Sequence, residues 1–255
     1  MFAPLPLRGA SALPASCGET TTSYAARSSS SESSGDERMC QLGENGLVRQ
    51  AFFVIVLIVL TGCASILLNP HDPRLQARAP ELFRVRFTTS QGDFVVEVHR
   101  NWASIGADRF YNLVAHRFFD DARFFRVRQG VFVQFGIPGD PRIAQAWRTA
   151  TIPDDPPRHS NTRGTIAYAF TTSNTRTTQL FINLSGNQQF DAQGFAPFGV
   201  VISGMEIVDK LYPDYGETAG GGMRAGHQDA LFAEGNAYLI REFPRLDYVR
   251  KARLE

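Results

Sequence analysis

From about Leu82 onward, hydrophobic and polar positions alternate along this chain with the period of β-strands. Phe83 to Thr89, FRVRFTT, and Phe94 to His99, FVVEVH, flank a turn at Gln91-Gly92-Asp93 and read as a hairpin. Arg123 to Gly136, RFFRVRQGVFVQFG, reads as two short apolar strands around a Gln129-Gly130 turn. Alternation there sets Phe124, Arg126 and Arg128 on one face against Phe125 and Val127. Further strands are expected at Thr165 to Phe170, at Thr178 to Leu184 (TQLFINL, with Gln179 and Phe181 on one face) and at Gly194 to Val201 (GFAPFGVV). Leu246 to Leu254 is expected to supply a closing strand. Ser104 to Arg117 has helical spacing, with Phe110, Leu113 and Val114 on one face and Ser104 as the N-cap. Met205 to Leu211 predicts a second helix. Two long connections, Pro138 to Arg163 and Pro213 to Gly235, carry no periodic signal, and loops of that length are often functional. Together these elements predict a β-dominated antiparallel barrel with two helices over its ends.

The chain before Leu82 has a different character. Residues 1–38 are Ser-rich, including SSSSESSGD, and bury too little apolar surface to offset their ordering entropy. They read as disordered, or as an over-extended gene model with the true start at Met39. From Met39, Arg49 precedes the apolar run Ala51 to Leu60 and then Leu60-Thr61-Gly62-Cys63. That is the architecture of a secretory signal, residues 39–62, and its end resembles a bacterial lipobox, in which the cysteine becomes a lipidated N-terminus. With Ala64 rather than aspartate after Cys63, the same resemblance points to outer-membrane attachment facing the periplasm. The alternative is an uncleaved N-terminal anchor, Ala51 to Leu68, near the lower length limit for a span. Residues 63–81, ending in NPHDPRLQARAPE, read as a polar linker, and 82–255 as one domain.

Composition narrows the function classes. With 43% hydrophobic and 20% charged residues in 255, the chain is of ordinary globular type. Its net charge of +1, with no clustered basic stripe, argues against nucleic acid. The five histidines form no metal-ligand spacing, and Cys17, Cys40 and Cys63 all precede the domain. The domain is therefore expected to fold with no disulfide, no metal and no cofactor.

What remains is a set of polar residues in apolar strands. Arg126 and Gln134 are expensive to bury unless they are paired or used. Aromatic strands carrying such groups, without a nucleophile and base, suggest an apolar cleft that binds and distorts a peptide. The order FFRV-x-x-G-x-x-VQFG, GTIAYAF, TQLFINL, GFAPFG and GMEIVDKL resembles the cyclophilin family of peptidyl-prolyl isomerases from about Leu82 to Leu254. The resemblance implies a closed eight-stranded barrel with a peptide cleft on its outer face.

The resemblance also implies roles. Arg126 matches the arginine that donates toward the prolyl nitrogen, and Gln134 the glutamine that supports it. Gln179 and Phe181 match substrate contacts, with Phe181 flooring the proline pocket. Phe132, Phe190 and Phe195 map to other cleft positions, whereas Phe198 reads as core. Ala169, Phe170 and Thr171 match the edge whose backbone pairs with an extended peptide. The chain departs from the family at Phe125, Val131, Phe170, Gln189 and Phe195. Val131 stands where an aromatic wall is usual, which predicts weaker binding that Val131→Phe would strengthen. Expected partners are proline-containing, flexible or unfolded polypeptides. A catalytically weak peptide-holding chaperone of the cell envelope, or an envelope scaffold, are the competing readings.

Overall fold

The computed structural model describes residues 66–217 and 228–255. Eight strands form one antiparallel, curled sheet: β1 (Leu82–Thr89), β2 (Asp93–His99), β3 (Arg126–Arg128), β4 (Phe132–Phe135), β5 (Thr165–Tyr168), β6 (Leu180–Asn183), β7 (Pro197–Ser203) and β8 (Val249–Leu254). Their order is β3-β4-β6-β5-β7-β2-β1-β8, so β3 and β8 are edges and the sheet stays open. This corrects the expected closed barrel. The ends meet where the chain before β3 passes β8, through the isolated bridge Arg123–Tyr248 and three backbone bonds: Asp121 N donates to Val249 O at 2.7 Å, Val249 N to Ala122 O at 2.9 Å and Phe124 N to Asp247 O at 2.9 Å. Regular β3 begins after that contact and is too short to share a ladder with β8.

The strands that carry polar residues obey period 2 on both faces. From β4, Val133 and Phe135 enter the main core, while Phe132 and Gln134 face the other side. From β6, Leu180 and Ile182 go inward and Phe181 outward; from β5, Ile166 and Tyr168 go inward and Ala167 outward. A register slip of one residue would exchange these sets, so interior packing locks the placement of Gln134 and Phe181. The alternation expected across Phe124 and Phe125 breaks. Phe124 joins the main core with Val127, and Phe125 joins a second cluster with Ile137, Leu231 and Phe232. The cause is that Phe124 lies before β3, bonded to the β8 side of the molecule.

Helices account for more of the chain than the pattern predicted. The first, α1 (Ser104–Ala115), is close to expectation, but its N-cap is Ala103, without a side-chain bond. The capping group comes from far along the chain: the Asp155 carboxylate accepts from Ile105 N at 3.0 Å and Gly106 N at 2.9 Å. Buried Arg176 holds that carboxylate through Nη1 at 3.1 Å. α2 (Pro141–Trp147) lies inside the connection read as irregular, with Pro141 in its first turn and Asp140 accepting from Arg142 N at 2.9 Å. α3 (Met205–Val208) forms at the predicted second helix. α4 (Asp229–Glu234) falls in the second long connection and α5 (Asn236–Glu242) follows it. The residues read as linker also differ from expectation. Leu67, Leu75 and Ala79 are buried, Trp147 Nε1 donates to Leu67 O at 2.7 Å, and Asn112 Nδ2 donates to Ala77 O at 2.7 Å. The packed domain thus begins by Ile66. The Ser-rich leader, the signal and Cys63 lie outside the described residues. No helix among the described residues is long and apolar enough to cross a membrane.

Candidate active site in an aromatic cleft

Strand register assembles the polar side of the site. Arg126 stands opposite Gln134, Gln134 opposite Phe181, and Phe181 opposite Ala167. All four project on the face away from the main core, so side chains from β3 to β5 form a cross-strand row. Gly136 ends β4 at a φ of 106°, where an added Cβ would lie 2.4 Å from Thr178 O. Only glycine permits that approach. The contact, with Thr178 Oγ1 donating to Gly136 O at 2.8 Å, sets Gln179 beside Gln134.

From Arg126 to Gln179 the hydrogen bonds run one way. Arg126 Nη1 donates to Gln134 Oε1 at 3.0 Å, and Gln134 Nε2 donates to Gln179 Oε1 at 2.9 Å. An arginine offers only donors, so Gln134 must turn its oxygen toward it and its nitrogen onward. Arg126 Nη2 also donates to Glu217 Oε1 at 2.6 Å, and Arg128 Nε lies 3.3 Å from the same oxygen. Arg126 and Arg128 thus share one carboxylate. The Arg126 guanidinium sits 4.8 Å from the Phe132 ring centroid, within range of a cation–π contact.

The other wall is aromatic. Phe132, Ala167 and Phe181 form a small buried cluster, against which Phe190 and Phe195 pack while remaining half-buried. Phe181 meets Phe195 edge-on at 5.5 Å and 87°, Phe190 lies 5.5 Å from Phe195, and Phe170 covers Phe195 at 4.4 Å. The loop carrying Phe190 and Phe195 is held by buried amides. Asn161 Nδ2 donates to Phe195 O at 2.8 Å, and Asn187 Nδ2 donates to Asn183 Oδ1 at 2.8 Å. Asp191 accepts from Asn161 N at 2.8 Å. Burial pushes the Asp191 carboxyl up, but the bonds from Ser160 and Asn161 outweigh it and hold it below the usual carboxylate range.

Between these walls lies a cavity of about 590 Å³, within the usual size of small-ligand sites. Arg126, Gln134, Gln179, Phe132, Phe181, Phe190, Phe195, Ala169, Phe170 and Thr171 all line it. Val131 does not. It packs at the edge of the aromatic cluster, and its carbonyl accepts from Leu184 N and Asn187 Nδ2. The Ala169 amide is already occupied, donating to Gln179 O at 2.9 Å. Sequence reasoning missed the far side of the cavity. Thr149, Thr151, Thr175 and Thr177 line it together with Gln228 and Phe232, the last lying under Arg148 at 4.7 Å. Single threonines in irregular chain carry no periodicity by which to find them. Among the described residues no three His, Cys, Asp or Glu converge as metal ligands.

Comparison with known proteins bears on this geometry. Residues 84–221 match the family model described as cyclophilin type peptidyl-prolyl cis-trans isomerase. A peptidyl-prolyl cis-trans isomerase of Acinetobacter baylyi is 33% identical over 133 residues, covering 50% of this chain and 70% of that protein. Peptidyl-prolyl cis-trans isomerase B of Escherichia coli is 29% identical over 136 residues, covering 50% and 82% respectively. The crystal structure of a cyclophilin type isomerase from Cryptosporidium parvum shares the fold, with a TM-score of 0.50 and 18% identity over 68% of this chain and 98% of that one.

Proposed function

This chain belongs to the cyclophilin type peptidyl-prolyl cis-trans isomerase family, and we propose that it accelerates rotation about X–Pro bonds in flexible or unfolded polypeptides, with Arg126 stabilising the twisted amide. Rotation must cross a barrier of about 18–20 kcal/mol because amide resonance is lost as the bond twists. The prolyl nitrogen then becomes pyramidal and gains a lone pair absent from both planar isomers. A donor aimed at that position binds the transition state more tightly than either ground state, which is the condition for catalysis. A guanidinium suits the task because it stays charged at any working pH. The observation that carries the reading is the placement of Arg126 at the edge of an aromatic pocket, held by Gln134 and Glu217. Each Nη carries two hydrogens and those bonds use one apiece, so one N–H on each remains for a substrate.

Binding would follow from the rest of the cleft. The proline ring enters between Phe132, Phe181, Phe190 and Phe195. The peptide runs along Ala169 to Thr171, pairing with the Ala169 carbonyl rather than its occupied amide. The test is exchange between cis and trans X–Pro in a short peptide, with and without Arg126→Ala. That variant should lose about ten- to a hundredfold in rate, since a bond to a charged group contributes about 1.5–3 kcal/mol. Arg126→Lys should restore little of it, because a point charge on a flexible stem does not reproduce the planar fork. Full activity in Arg126→Ala would rule the mechanism out. Peptide binding by the wild type without turnover would make the protein a holding chaperone of the same fold.

The proposed setting is extracytoplasmic, with the domain tethered to a membrane by lipid on Cys63 or by an uncleaved Ala51 to Leu68. Its support is the signal-like run at 49–63, a feature of the sequence alone. Metabolic labelling with a palmitate analogue should mark the wild type and spare Cys63→Ser; equal labelling of both would remove the lipid anchor.

A further inference from the structure

We infer that Glu217 is a positioning residue for Arg126, so that a carboxylate from the segment after α3 aims the arginine together with the glutamine beside it. The inference rests on the role of Arg126 proposed above. Gln134 alone would hold the guanidinium by one bond, about which a planar group can pivot. Three contacts constrain it instead. Nη1 donates to Gln134 Oε1 at 3.0 Å, Nη2 donates to Glu217 Oε1 at 2.6 Å, and the Phe132 ring lies 4.8 Å from Cζ. Two in-plane anchors and one contact with a ring fix both the position and the tilt of a rigid fork.

Glu217 is suited to this role by its own restraint. Arg128 Nε lies 3.3 Å from the oxygen that accepts from Arg126, and the glutamate side chain is only 28% exposed. An exposed ion pair would be worth little, but here the Arg126 side chain is 14% exposed, so screening by water is reduced. The row continues beyond Gln134 as well. Gln134 Nε2 donates to Gln179 Oε1, and Gln179 exchanges bonds with Gln228 at 2.9 and 3.2 Å. Arg128, Glu217, Arg126, Gln134, Gln179 and Gln228 thus form one continuous polar row. Within it Arg126 donates both ways, toward an amide oxygen and toward a carboxylate. Neither bond takes the second hydrogen of its Nη, so the carboxylate orients the arginine without using up its donors.

The experiment uses the full chain with Glu217→Ala and Glu217→Gln, measuring kcat and KM for X–Pro exchange separately. Side-chain ¹⁵N spectra of the arginine Nη groups are recorded alongside, with Arg126 identified by its absence in Arg126→Lys. Glu217→Ala should lower kcat about tenfold, the loss of one charge-assisted bond's worth of orientation, and leave KM within about twofold. The Arg126 Nη signals, separate while rotation about Nε–Cζ is hindered, should merge in the alanine variant. Glu217→Gln keeps an oxygen acceptor and should lose less on both readouts. In an active wild type, a kcat unchanged by Glu217→Ala overturns the inference, and a raised kcat overturns it by showing that Glu217 masks the arginine. If the wild type does not turn over X–Pro peptides, the proposed function fails and the spectra alone decide. Merged signals then keep Glu217 as the clamp, and unaltered signals dismiss it.

Discussion

Phe132 and Phe135 sit on one strand and live in two environments. Phe135 points into the main core, wholly buried, with Phe124 at 5.1 Å, Phe87 at 5.8 Å and Phe119 at 6.0 Å around it. Phe132 points to the other face, where Phe181 lies at 5.8 Å and the Arg126 and Arg128 guanidiniums lie at 4.8 and 5.7 Å. The interior ring is enclosed by other apolar groups. The cleft ring is packed on one side by apolar groups and on the other by cations and a cavity. The same residue type therefore serves stability on one face of β4 and, in the proposed function, recognition on the other. What separates the two roles is the parity of the position in the strand.

Truncation should break that comparison most visibly on the interior side. Phe135→Ala is expected to cost about 3–5 kcal/mol in denaturant unfolding, the usual loss for a buried aromatic that leaves a cavity. Isomerase activity per folded molecule should stay near the wild-type value. A loss below about 1 kcal/mol would mean that the core collapses around the gap. On the cleft side, Phe195→Ala should cost less stability, about 1–2 kcal/mol, because the ring is already half-exposed. It should instead weaken binding of an X–Pro peptide by roughly tenfold, about one ring's worth of apolar contact, measured by titration. Unaltered affinity would move the proline pocket away from Phe195. The smallest effect is expected at Val131. Because Val131 does not line the cavity, Val131→Phe should change peptide affinity by less than about twofold, contrary to the expectation drawn from family resemblance. A clear gain would restore Val131 to the pocket wall.

The same contrast explains what could be read in advance. Period 2 in FVQF and LFIN, with one glutamine and several aromatics on one parity, already separated Gln134, Phe132 and Phe181 from Val133, Phe135 and Ile182. The hairpin of β1 and β2 was equally legible, since its turn residues and flanking alternation are local. Phe124 was misplaced because its direction depends on a bond to Asp247, which no local pattern encodes. α2 was missed although Asp140-Pro141 is a start signal, because the prolines on either side of it read as loop.

Sequence alone determined the β-dominated class and the family resemblance, and it singled out Arg126, Gln134, Gln179 and the aromatic residues beside them as candidates. Those features reside in short-range periodicity and in blocks of contiguous residues, where each strand's own alternation decides which side chains share a face. Only the tertiary structure decided that the sheet stays open, that the residues from Ile66 to Glu81 belong to the packed domain, and that Asp155 caps α1. It alone also brought Glu217 to Arg126 and Gln228 to Gln179. These are contacts between segments far apart in the chain, made by single polar residues in irregular stretches. For such residues position follows from where the packed sheet leaves an unpaired donor or acceptor, and a half-buried donor such as Arg126 recruits whichever acceptor the fold delivers.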